Sequence, residues 1–160
     1  MTHWYRLPSQ VSVAKLLFNR KQQFIVDRGL PPELKRSLPV DARFLDDIPE
    51  ADSPSREEVI ELCREKHGIL VTCDEDYTSP LRIDARGAWG VILLPSDVES
   101  QIRHWRRMAS GDLTFLPTNE TMDLVEYARR NRMLLDIRND PPILTFHSQC
   151  RWISRDSKSR

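Results

Sequence analysis

Three aspartates in this chain stand where apolar runs stop. "FIVD" closes on Asp27, and "ILVTCDED" closes on Asp74 and Asp76. In an open parallel α/β sheet, ligands bind beyond the carboxyl ends of the strands. If these two runs are neighbouring strands, their carboxylates meet at one edge. Such a cluster, left unneutralised, raises its own pKa values and destabilises the fold. A divalent cation such as Mg²⁺ or Mn²⁺ relieves that repulsion, because it takes hard oxygen ligands and keeps several waters. Retained waters and open positions are what phosphodiester hydrolysis needs. Each acid also has a local alternative. Asp27 could open the turn before a helix, where a carboxylate favours the helix dipole. Asp74 and Asp76 could be loop residues that hydrogen-bond their own backbone.

The elements that must deliver these residues are legible for about two-thirds of the chain. "QQFIVDRGLPPELKRSL" reads as a buried strand (Phe24, Ile25, Val26), a turn, and a helix with proline near its first position. A second short strand is expected near Ala42–Leu45, followed by a polar, proline-bearing loop. "SREEVIELCREKHG" has Ser55 and Glu58 as a capping-box pair, an apolar stripe of Val59, Leu62 and Cys63, and Gly68 at the C-terminal stop. "ILVT" and "GVILL" are further strands, and Ser96 with Glu99 forms a second capping-box pair opening the helix "DVESQIRHWRRMA". Strands separated by helices imply a largely parallel sheet covered on its faces. Beyond that, "ETMDLVEYARRNRML" reads as a helix, "ILTFHSQCRW" as one half-exposed strand, and "SRDSKSR" as a frayed basic tail. Val11, Val13, Leu16 and Leu17 suit a helix packed on the sheet.

At 160 residues the chain suits one domain with an appendage. Charged residues make up 30% of it, which implies a highly charged surface around a modest core. No stretch approaches a membrane span, and the N-terminus lacks the apolar core and cleavage site of a signal peptide. Cys63, Cys73 and Cys150 are odd in number and unclustered, which fits a reducing cytoplasm and neither a disulfide framework nor a zinc site. The net charge of zero conceals an asymmetry: +5 over residues 1–40, −7 over 41–86 and +2 over 87–160. An acidic middle between basic flanks could be a metal-binding pit inside a phosphate-attracting rim, or acidic and basic helices alternating on a solvated surface.

"FIVDRGLPPEL", "SREEVIELCREKHGILVTCDEDY" and "GVILL", in that order, resemble the PIN-like family of small bacterial proteins designated DUF5615, related to toxin-type PIN ribonucleases. The match runs from about Phe24 to Leu94, and Thr72-Cys73-Asp74-Glu75-Asp76-Tyr77 is its strongest piece. Outside the match, a helical segment over 1–20 and a C-terminal α+β extension over 111–160 are expected to flank a PIN-like domain over 21–110. The resemblance implies a three-layer α/β/α PIN-like fold with a mostly parallel central sheet. It implies a Mg²⁺- or Mn²⁺-dependent endoribonuclease, the toxin half of a toxin–antitoxin pair with a cognate antitoxin as partner. Carried across position by position, Asp27, Asp74 and Asp76 are the metal ligands, and Tyr77 stands where the family has phenylalanine.

The chain departs from the family pattern at two points. Arg28 and Gly29 replace a Glu-Asn pair after Asp27, and Arg56 stands where the helix often opens with aspartate. Glu57, one position on, is then the substitute carboxylate, although one helical step turns a side chain by about 100°. Arg56 could instead pair with the acidic cluster and take the metal's place, which defines the alternative: a catalytically degenerate binding or regulatory module. Arg103, Arg106 and Arg107 form a basic helix face that could hold an RNA backbone through its phosphates. Arg129, Arg130 and Arg132 form a second such group. The C-terminal segment could add a strand, cover a sheet edge or make a homodimer contact.

Overall fold

The computed structural model describes residues 11–12, 23–38, 41–66, 68–78, 90–109, 113–117, 133–138, 143–146 and 151–156. In chain order their elements are β1 (Val11–Ser12), β2 (Phe24–Val26), α1 (Pro32–Ser37), β3 (Arg43–Phe44), α2 (Arg56–Lys66), β4 (Ile69–Thr72), β5 (Gly90–Leu93), α3 (Val98–Ala109), β6 (Leu113–Pro117), β7 (Met133–Asp136), β8 (Ile143–Phe146) and β9 (Arg151–Asp156). The strands form one sheet in the order β1-β6-β9-β8-β7-β5-β4-β2-β3. Strands β3, β2, β4, β5 and β7 run parallel. Beyond β7 every pairing is antiparallel.

The three layers follow from the two-residue period of strand side chains. Phe24, Val26, Ile69, Val71, Ile92, Met133 and Leu135 project to one face, where Leu34 of α1 and Trp105 and Met108 of α3 cover them. Ile25, Leu70, Val91 and Leu134 project to the other, where Val59, Ile60 and Cys63 of α2 pack. This is a small three-layer α/β/α domain with a mostly parallel central sheet. Each fully buried aliphatic side chain contributes about 1.5–3 kcal/mol, and both covers draw on several such residues.

Local chemistry sets the helix ends. Pro32 opens α1, where a missing N–H costs nothing. At α2, Glu58 N donates to Ser55 Oγ at 3.2 Å and Ser55 N to a Glu58 carboxylate oxygen at 3.3 Å, the reciprocal box expected from sequence. At α3 the expected pair, Ser96 with Glu99, is not the cap. Asp97 is, with its Oδ2 accepting Ser100 N at 2.9 Å. A carboxylate one position further on wins because it satisfies an orphan amide and also faces the positive end of the helix. Gly68 N donates to Cys63 O at 2.8 Å and closes α2.

Other expectations need correction. Val11, expected in a helix with Val13, Leu16 and Leu17, instead lies with Ser12 in a strand antiparallel to β6, and Val13, Leu16 and Leu17 lie outside the described residues. Met133 and Leu134, taken as the end of a helix, begin β7. The run "ILTFHSQCRW", read as one strand, gives Ile143–Phe146 to β8 and Arg151 and Trp152 to β9, which pair antiparallel with each other, while 147–150 lie outside the described residues. Ser154, Arg155 and Asp156, taken as tail, belong to β9. The C-terminal strands extend the central sheet. The expected helix over residues 120–132, the arginines Arg129, Arg130 and Arg132, and residues 157–160 lie outside the described residues. No helix among the described residues is long and apolar enough to cross a membrane.

Candidate functional site

Strands β2 and β4 are direct neighbours, with Val26 beside Val71. Asp27 N donates to Val71 O at 2.9 Å, so the ladder carries Asp27 to the carboxyl end of β4. By strand parity Asp27 follows Ile25, and Thr72 follows Leu70, onto the face that α2 covers. Thr72 is fully buried. Its Oγ1 donates to Asp27 Oδ2 at 2.6 Å and accepts Asp74 N at 3.0 Å. One hydroxyl therefore ties together the two acidic strand ends.

The acids also make local bonds. Asp27 Oδ1 accepts Arg28 N at 2.8 Å, and Asp74 Oδ1 accepts Asp76 N at 3.0 Å. The second bond fixes the 3₁₀ turn Glu75–Thr78 that follows β4. The ends of β2 and β4 thus meet at one edge, where Asp27 and Asp74 each also accept an amide of their own loop.

The compensating charge at this edge is arginine. Arg56, the first residue of α2, places Nε 2.7 Å from Asp74 Oδ2 and Nη2 3.1 Å from Asp76 Oδ2. The hydrogen bond to Asp74, then its charge, raises the Arg56 pKa further above its ordinary value. Arg28, the other departure from the family pattern, donates from Nη2 to Ile48 O at 2.6 Å. Among the described residues it forms an ion pair with none of the acids, and its buried Nε lacks a hydrogen-bond partner. Glu57 lies in the first turn of α2 and is exposed.

The sequence reading missed a third acidic strand end. "MLLD" closes β7 on Asp136, with the same grammar as "FIVD". The signal was present, but the assignment of "RNRML" to a helix hid it. Asp136 Oδ1 accepts Arg138 N and Arg138 Nε, both at 3.0 Å, and Oδ2 accepts Arg138 Nη2 at 2.8 Å. Arg138 Nη1 also lies 3.3 Å from a Glu75 oxygen. The bond to Asp136 raises the Arg138 pKa. A second guanidinium thus bridges acids from β7 and from the turn after β4.

Two neighbouring groups register the negative field. Partial burial first, then Asp27, pushes the Cys73 thiol above its ordinary pKa. Burial first, then Asp27 and Asp74, pushes up the phenol of Tyr77, which packs among Ile25, Val59 and Leu70.

The fit of a divalent cation can be judged from the donors. Asp74 and Asp76 are engaged by one guanidinium, and Asp136 by another. Among the described residues no group of three or more His, Cys, Asp or Glu side chains is disposed to hold a metal ion. The edge as built does not fit the group that the family resemblance implies.

The basic helix face is also partly engaged. Arg106 pairs with Glu33 of α1, and Arg103 donates to Ser100 Oγ at 3.4 Å. Trp105 is turned inward, its indole N–H donating to Ser37 Oγ. His104 Nδ1 lies against Ile137 O. The chain matches no family model, no curated protein and no solved structure among those compared.

Proposed function

We propose that the chain is a PIN-like module whose carboxylate edge carries its own counter-ions, and that it acts by binding a partner and does not hydrolyse RNA. The observation that carries this reading is the position of Arg56. Its guanidinium contacts Asp74 and Asp76, two of the three residues the resemblance assigns to the metal. A cation entering there would have to displace an arginine held by two carboxylates. The α/β/α layers, the strand order around β2 and β4 and the Thr72–Tyr77 segment support the PIN-like part of the proposal.

Thermal unfolding with and without millimolar Mn²⁺ tests it. A ligand that binds only the folded state raises the melting temperature by mass action. The wild-type protein is expected to show no specific gain, and Arg56→Gln, which releases both carboxylates, is expected to gain stability with Mn²⁺. A clear gain for the wild-type protein, lost in Asp74→Asn, would overturn the proposal.

A second reading, the Mg²⁺- or Mn²⁺-dependent endoribonuclease of a toxin–antitoxin pair, is favoured by one observation. Asp27 and Asp74 do converge on a shared hydroxyl. Incubation with mixed RNAs decides it: cleavage that needs Mg²⁺ or Mn²⁺, stops with EDTA and disappears in Asp74→Asn would establish that reading.

A further inference from the structure

On the sheet face opposite α2, helices α1 and α3 enclose a cleft of about 360 Å³. Its lining includes Leu34 and Trp105 from the buried core, with Ile102 and Ala109 less deeply placed. Arg36 and Arg106 line it as well, and Arg103 lies three residues before Arg106 on the exposed side of α3. Arg36 has no charged partner among the described residues. The single acid in the lining, Glu33, already sits on Arg106, so a carboxylate is stereochemically at home at this mouth.

Two classes of partner suit a basic rim, and the cleft itself separates them. Single-stranded nucleic acid binds by stacking bases on exposed aromatic faces. Trp105 is 2% exposed, with its N–H committed to Ser37, and presents no such face. What the cleft offers is an apolar recess for an aliphatic side chain within reach of guanidinium groups. Arginine pairs with carboxylates through a planar fork, and a basic patch steers and orients an acidic partner.

We infer that the α1–α3 cleft docks an acidic, leucine-bearing peptide segment of a protein partner, with an aliphatic side chain in the recess and carboxylates on Arg36 and Arg103. This inference rests on the reading that the chain works by binding. It supplies the chemistry of the partner and uses the sheet face opposite the one that α2 covers.

A fluorescein-labelled peptide of repeated Glu-Glu-Leu-Leu units is the probe, with its Lys-for-Glu counterpart and an oligouridine of similar length as comparisons. Fluorescence anisotropy on the full chain is expected to show saturable binding of the acidic peptide, weakened at least about tenfold by the double charge reversal Arg36→Glu and Arg103→Glu. Both positions are exposed, and circular dichroism verifies that the variant is folded. Ala109→Leu, which fills the recess without changing charge, is expected to weaken binding as well. Equal binding of the lysine peptide, tighter binding of oligouridine lost in the same double variant, or no saturable binding at all would each overturn the inference. The Mn²⁺ melting experiment reads the other face, so the two proposals fail separately.

Discussion

Thr72 donates its hydroxyl to Asp27 Oδ2 at 2.6 Å across a sequence separation of 45 residues. Thr72 Oγ1 in turn accepts the amide of Asp74, so a fully buried side chain is satisfied only because two strands end together. Thr72→Val keeps the shape and removes the bonds. It is expected to cost about 1–3 kcal/mol, the penalty for stranding buried polar groups, measured by urea denaturation. Thr72→Ser is expected to recover part of that loss. A neutral Thr72→Val would mean that Asp27 finds its partners elsewhere.

The thiol of Cys73 reports the field at this edge. Its pKa lies above the ordinary 9.0, through partial burial first and then through Asp27 and Asp74. Alkylation follows the thiolate fraction, so the rate at Cys73, read by mass spectrometry of its peptide, is expected to rise at higher pH than for a free thiol. Asp27→Asn removes a negative neighbour and is expected to move that profile to lower pH. An unchanged profile would exclude Asp27 as a cause.

Gly68 is expected to resist substitution because of what lies beside it. A Cβ there would come 2.9 Å from Ile25 Cδ1 and 3.1 Å from Gln23 O. The second contact is with backbone and cannot swing away, so Gly68→Ala is expected to cost about 1–3 kcal/mol, as overpacking does. At Gly90 the nearest atom is the flexible end of Met133, at 3.0 Å. Gly90→Ala is therefore expected to be milder, and paired denaturation curves compare the two.

The caps of α2 and α3 give separable outcomes. Ser55→Ala is expected to cost about 1 kcal/mol. The carboxyl group of Asp97 is held below its ordinary pKa of 3.8, chiefly by its hydrogen bonds with Ser100. A depressed folded-state pKa means that its stabilisation is present above the ordinary value and is lost as pH falls through the folded value. Asp97→Asn keeps a capping side chain and removes the charge. Its melting temperature is expected to fall less than that of the wild-type protein between about pH 6 and about pH 3.

The legibility of the chain follows the physics of each segment. Phe24–Val26, Ile69–Thr72 and Gly90–Leu93 were readable because strands buried on both faces are short apolar runs with helices between them. The capping box at Ser55 was readable because both partners lie within one turn. Beyond Ala109, strand order depends on long-range antiparallel pairing, such as Leu113 with Asp156, which local patterns do not encode. At the site, the convergence of Asp27 and Asp74 was legible, and so was Arg56 as a rival to the metal. Asp136 and Arg138 were not, because Met133 and Leu134 fit a helix by composition until β5 and β8 fix them as a strand.

Strand β7 is parallel to β5 on one side and antiparallel to β8 on the other. A chain cut short after Arg138 would still hold the acids and arginines of the strand ends, yet leave the β8-facing amides and carbonyls of β7 uncovered. Unpaired strand margins of this kind are templates for self-association. A chain shortened in this way is expected to aggregate more readily than the full chain, which sedimentation of the two side by side measures.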